Sequence, residues 1–178
     1  MNIKNLAFAA FISSFLLISC SRENKQGGLH YFNDFESVKG WSKMPIPTLV
    51  EGNAHSGNFS LKIDSLEGFS HAFNIKMKDI SNKPIKKVRY SMYCMIKSLN
   101  AKASLVLAVD TVNKPNALWQ GIPIQDQIKE INKWVKITGE VQLAQDGLNK
   151  PENNLVMYLW NNSKEVIFAD DYELEFFE

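Results

Sequence analysis

Val88-Arg89-Tyr90-Ser91-Met92-Tyr93-Cys94-Met95-Ile96-Lys97 is the stretch that decides the fold. Val88, Tyr90, Met92, Cys94 and Ile96 fall on every second position, while Arg89, Ser91, Tyr93 and Lys97 occupy positions between them. Successive side chains of an extended strand point to opposite faces. The run therefore predicts a strand with one face in a core, Cys94 included, and the other toward the surface.

The same period recurs along the chain, and no helical stripe of useful length interrupts it. Phe59, Leu61 and Ile63 share one face of a strand; Phe69, His71, Phe73, Ile75 and Met77 share a face of the next. Leu105 to Val109, Val135 to Leu143, Leu155 to Trp160 and Val166 to Phe177 read as further strands. Turn residues separate them at Asn82-Lys83-Pro84, Asn113-Lys114-Pro115-Asn116, Asp146-Gly147 and Asn161-Asn162-Ser163. Roughly eight to ten short strands at this spacing predict an all-β, antiparallel jelly-roll sandwich.

A net charge of +1 and a pI near 7.7 give no electrostatic reason to expect nucleic acid as a partner. The N-terminus has the zones of an export signal: Lys4, an apolar run from Leu6 to Ile18, and the small residue Ser19. That run is shorter than the roughly 20 residues a membrane-spanning helix needs. Phe8, Phe11, Phe15 and Leu16 also surround a helix, which argues against an amphipathic first helix of a cytosolic protein.

Leu17-Ile18-Ser19-Cys20 resembles the lipobox of bacterial lipoproteins. The resemblance implies a signal peptide over residues 1–19, lipidation of Cys20, and a membrane partner held through the lipid. Two or three acyl chains anchor durably where one gives only marginal binding. Residues 20–28, ending in Gly27-Gly28, read as a flexible tether to a sandwich over residues 29–178. By resemblance to the sorting rule of diderm bacteria, Ser21 in place of Asp favours the outer membrane of the cell envelope. Ser21-Arg22-Glu23-Asn24-Lys25 lacks the acidic run that some Bacteroidota use for surface export, so either leaflet stays open. With Cys20 acylated, Cys94 has no disulfide partner, and stability falls to the packed core.

Asp34-Phe35-Glu36 followed by Gly40-Trp41, then Gly52-Asn53-Ala54-His55-Ser56-Gly57-Asn58-Phe59-Ser60-Leu61, then Val166-Ile167-Phe168-Ala169-Asp170-Asp171, resembles the jelly-roll carbohydrate-binding modules of the cellulose- and xylan-binding type. Galactose-binding-like sandwiches are similar. The resemblance covers nearly the whole mature chain and implies that the first and last strands lie close together. It also implies a structural calcium ion, with Glu36 and Asp170 giving carboxylates and Asn58 a backbone carbonyl. Strict alternation puts Phe168, Asp170, Tyr172, Leu174 and Phe176 on one face, so Asp170 stands in line with core residues and needs either a cation or several donors. Backbone N–H groups at the strand end are the alternative to calcium.

Sugar rings stack on exposed aromatic side chains with polar groups around them. Tyr93, Trp119, Tyr158 and Trp160, with Arg89, Gln120 and Asn161, form the candidate ligand set. Trp41 and Trp134 read as structural. Tyr158 and Trp160 share a side, but Leu155, Met157 and Leu159 are equally good core residues, so parity leaves the exposed side open.

Catalytic readings find less support. Paired carboxylates must face one cleft, whereas Asp170 and Asp171 point to opposite faces of a regular strand. His30, His55 and His71 are scattered without zinc-ligand spacing, and His71, between Phe69 and Phe73, reads as a core residue. No Gly-x-Ser-x-Gly elbow or phosphate-binding glycine loop is present. Lys76, Lys78, Lys83, Lys86, Lys87 and Arg89, opposed only by Asp79, form either a solvated edge or a contact for an anionic partner. Two function classes follow: a noncatalytic anchored sandwich that binds a carbohydrate or glycoconjugate, and an envelope scaffold that uses the same fold to contact another protein.

Overall fold

The computed structural model describes residues 29–37, 46–144 and 147–178. The expected signal peptide, Cys20, the tether and Trp41 lie outside the described residues. Within them run β1 (Leu29–Asn33), β2 (Leu49–Glu51), β3 (Phe59–Ile63), β4 (Phe73–Lys76), β5 (Lys87–Ile96), β6 (Ala103–Thr111), β7 (Lys114–Pro123), β8 (Val135–Gln142), β9 (Asn154–Asn161) and β10 (Ile167–Phe177). A single helical turn, α1 (Met77–Ile80), follows β4 and buries Met77 and Ile80.

The strands form two antiparallel sheets. One has the order β2-β3-β10-β5-β8, with β1 also pairing β10; the other has the order β4-β9-β6-β7. β10 is the spine of the larger sheet: β5 runs along one side, and β3 and β1 share the other. The first and last strands are thus hydrogen-bonded, as the family resemblance implied.

The core lies between the sheets. Val88, Tyr90, Met92, Cys94 and Ile96 of β5 face Leu105, Leu107 and Val109 of β6 and Leu155, Met157 and Leu159 of β9 within one buried cluster. Each such Leu or Ile contributes about 1.5–3 kcal/mol by leaving water. Cys94 is buried and free, and burial pushes its thiol pKa well above the ordinary range. The sheets are also tied by polar groups. The Tyr172 hydroxyl donates to Ser70 Oγ at 2.6 Å, and Ser70 Oγ accepts the Leu159 backbone N–H at 2.8 Å.

Two strands depart from the sequence expectation. β7 starts at Lys114 and contains Pro115, inside the expected turn. It is an edge strand, where a missing N–H donor costs no ladder hydrogen bond. In β10 the core-facing residues are Ile167 and Ala169, then Tyr172, Leu174 and Phe176. The alternation slips at Asp171, which has φ 50°, and the register against β5 shifts between Asp170 and Glu173. This bulge takes Phe168 and Asp170 out of the core-facing series to which strict alternation assigned them.

Candidate functional site

β9 settles the parity question. Leu155, Met157 and Leu159 face the core, so Val156, Tyr158 and Trp160 face outward from the four-stranded sheet. The register aligns Val106 of β6 with Tyr158 on one side and Gly121 on the other, and Ala108 with Val156 and Trp119. Val106 and Ala108 of the middle strand thus stand beside Tyr158 and Trp119 on the outer face. Val106 and Ala108 are only 0% and 2% exposed although they face outward, with Tyr158 and Trp119 beside them in the register.

Four rings stand together on this face. Phe69 bridges to Trp160, with the rings parallel within 6° and centroids 6.4 Å apart. Tyr158 lies 5.9 Å from Phe69, and Trp119 meets Trp160 at 6.2 Å and 78°, as a wall meets a floor. The Trp119 indole N–H donates to the Tyr158 hydroxyl at 3.3 Å. A Cβ on Gly121 would stand 2.5 Å from the Trp119 ring, so the indole rests on bare backbone. Phe69 remains 58% exposed and Trp119 45%. The result is an apolar floor and wall open to solvent, suited to the C–H face of a sugar ring.

Of the seven candidate ligand residues, Trp119, Tyr158 and Trp160 come together here, and the other four do not join them. Gln120 pairs with Leu107 in the series of Leu118 and Ile122, on the core side of β7. Asn161 is 5% exposed and closes a turn: its Nδ2 donates to Glu165 O, and its Oδ1 accepts from Ser163 N and Oγ. Tyr93 and Arg89 belong to the other sheet. Tyr93 stacks on His55 at 3.6 Å, and His55 meets Trp134 edge-on. Arg89 pairs with Glu175 and Glu140. Phe69, Gly121, Val106 and Ala108, absent from the sequence-based set, complete the face. Alternation places Phe69 and His71 on a regular strand, but only residues 73–76 form that strand, and His71 is exposed, not core.

The basic cluster is less unbalanced than its sequence implies. Lys83 pairs with Glu178, Lys87 with Glu140, and Arg89 with Glu140 and Glu175, all brought in by chain folding.

The expected calcium ligands are near the loop before β3, and each is already hydrogen-bonded. Glu36 Oε1 accepts the N–H groups of Asn58 and Phe59, and its Oε2 accepts Asn58 Nδ2. These donors, led by Phe59 N–H, hold its pKa below the usual carboxylate range. Asp170 Oδ2 accepts from His55 N and Ser56 N, its Oδ1 from Asp171 N, and the Asn58 carbonyl accepts from Gly52 N. These N–H groups supply the donors that a carboxylate held at a core edge needs, which is the alternative to a cation. No group of three or more His, Cys, Asp or Glu residues suited to a metal occurs among the described residues.

The bulge also revises the carboxylate geometry. Asp170 and Asp171 both turn toward the 55–56 loop: Asp171 accepts from Ser56 Oγ at 2.5 Å, and its Oδ2 lies 2.5 Å from His55 Nδ1. The two carboxylates therefore share one side and do not point to the opposite faces expected of a regular strand. Both are buried, however, and burial raises the Asp170 pKa to about 6.

No protein-family model matches the chain, and no curated protein sequence does. Solved structures do. The second family 22 xylan-binding domain of Xyn10C from Paenibacillus barcinonensis superposes with a TM-score of 0.54 at 17% identity, over 83% of this chain and 99% of that one. The fold is that of a carbohydrate-binding module. The C-terminal family 22 module of Clostridium thermocellum Xyn10B shares this module fold at a TM-score of 0.52 and 10% identity, over 84% of this chain and 95% of its own. The N-terminal module and catalytic domain of the same xylanase, complexed with xylohexaose, gives 0.51 at 12% identity over 74% of this chain. The module fold seen here spans 24% of that larger protein.

Proposed function

We propose that this protein is a noncatalytic carbohydrate-binding module that takes a glycan across the outer face of the four-stranded sheet, and that lipidated Cys20 holds it to the cell envelope. The observation that carries the reading is the solvent-open corner of Trp119, Trp160, Tyr158 and Phe69 on the outer face of the four-stranded sheet. Stacked rings with few hydrogen-bonding groups recognise saccharides by shape and C–H surface. Structures of the same fold include domains described as xylan-binding and one in complex with xylohexaose, which supports a β-linked polysaccharide as the first class to test. The noncatalytic part of the proposal draws on the burial of Asp170 and Asp171, 0% and 7% exposed, which keeps that carboxylate pair from a ligand.

Isothermal titration with xylohexaose, cellohexaose and galactotriose tests the binding reading, with Trp160→Ala as the control. Saturable binding that the variant loses supports it. Absence of binding to all three by a folded protein favours the envelope scaffold. Metabolic labelling with a palmitate analogue, lost in Cys20→Ser, tests the anchor.

A further inference from the structure

A cleft of about 390 Å³ lies along the side of the sandwich where β1 and β4, each paired on one side only, run past each other. Its floor is Phe35 and Tyr172, both buried and in edge-to-face contact at 4.9 Å. Tyr31 and Phe73 meet across it at 5.7 Å. At the rim stand Phe32, 55% exposed, and the exposed His71 and Asn74, whose side chains have no hydrogen-bond partner among the described residues. Among the described residues, no Asp, Glu, Lys or Arg lines the cleft.

We propose that this cleft is a second saccharide subsite, contiguous with the aromatic face, that receives the continuation or a branch of the same glycan. The inference rests on the reading of that face as a glycan site. Contiguity comes from one segment of chain. Phe69 stacks on Trp160 at the face, and His71 and Asn74, two and five residues on, border the cleft. Asn74 pairs with Val156, in the outward series of Tyr158 and Trp160. A chain leaving the Phe69 ring therefore meets an imidazole, an amide and then the exposed Phe32. Aromatic walls with an amide and an imidazole at the rim suit a hydroxyl-rich ligand, and the volume lies within the range of about 300–1,000 Å³ common to small-ligand pockets.

The experiment compares xylohexaose with xylobiose, and cellohexaose with cellobiose, by calorimetry on the wild type, Trp119→Ala and the double variant Phe32→Ala/Asn74→Ala. His71→Ala repeats the test should the double variant lose cooperative melting. The expected result is at least about fivefold weaker hexasaccharide binding by the cleft variants with disaccharide binding unchanged, whereas Trp119→Ala weakens both. Wild-type hexasaccharide affinity in the cleft variants, alongside loss in Trp119→Ala, overturns the subsite and leaves the face. Equal weakening of both lengths by the cleft variants also overturns it, since a separate subsite leaves the disaccharide untouched. Wild-type protein that binds neither hexasaccharide removes both readings.

Discussion

The indole of Trp119 on β7 donates to the hydroxyl of Tyr158 on β9 across the intervening strand β6. Two strands that are not neighbours thereby hold one wall of the aromatic face at a fixed angle to its floor. Tyr158→Phe removes the acceptor and keeps the ring. The expected outcome is about threefold weaker glycan binding with the melting temperature nearly unchanged, because the bond is exposed and contributes little to stability. Calorimetry and thermal melting read the two quantities separately.

Gly121 sets the same indole from below. Gly121→Ala places a methyl group where the ring now rests, so Trp119 must swing away from the sheet. Trp119 is then expected to become more accessible to acrylamide quenching, and glycan affinity to fall about tenfold or less. An unchanged quenching constant would show that the ring does not rest there.

Two buried tyrosines carry opposite expectations. Tyr172 donates to Ser70, whereas the hydroxyl of Tyr90 is buried with no partner among the described residues. Tyr172→Phe should cost about 1 kcal/mol, and Tyr90→Phe should be neutral or stabilising, since it deletes an unsatisfied polar atom. Ser70→Ala should cost more than Tyr172→Phe, about 1–3 kcal/mol, because it also leaves the Leu159 N–H unpaired. Urea unfolding of the three variants orders them.

The carboxylates of β10 predict a pH profile with two limbs. Burial raises the Asp170 pKa from 3.8 to about 6, so its contribution favours the fold below about pH 4 and is lost as pH rises through 6. Lys136, 2.6 Å from Glu173, lowers the Glu173 pKa from 4.5 to about 2, with His30 and Ser91 assisting. That contribution is present above pH 4.5 and is lost as pH falls through 2. Asp170→Asn should gain on the wild type in melting temperature as pH rises from 4 to 7. Glu173→Gln should lose about 1 kcal/mol at pH 7, screening allowed for, and progressively less as pH falls toward 2. A chelator should leave the wild-type melting temperature unchanged, since N–H groups already satisfy Asp170 and Glu36.

The two-sheet architecture was legible in the sequence because alternation survives in β5, β8 and β9, and Cys94 fell on its expected core side. β10 shows where that reading ends. One residue with positive φ shifts every later side chain to the other face, and no pattern of apolar residues marks Asp171 as the slip. The aromatic face was legible in part. Trp119, Tyr158 and Trp160 are conspicuous residue types, but which face of β9 is buried depends on what packs against it. Tyr93 sits on an outward face as expected, yet on the other sheet, because sheet membership is a property of pairing and not of period. Phe69 joins the face from an irregular segment that local alternation represented as strand.

The most direct measurement is a two-dimensional NMR titration of the tryptophan indole N–H signals with xylohexaose. Trp119 and Trp160 line the proposed face, and Trp134 stands beside His55 at the other sheet. Glycan binding at this face gives saturable shifts of the Trp119 and Trp160 signals with Trp134 unmoved. A saturable shift of Trp134 while Trp119 and Trp160 stay in place would put the ligand on the other sheet and contradict the proposed site.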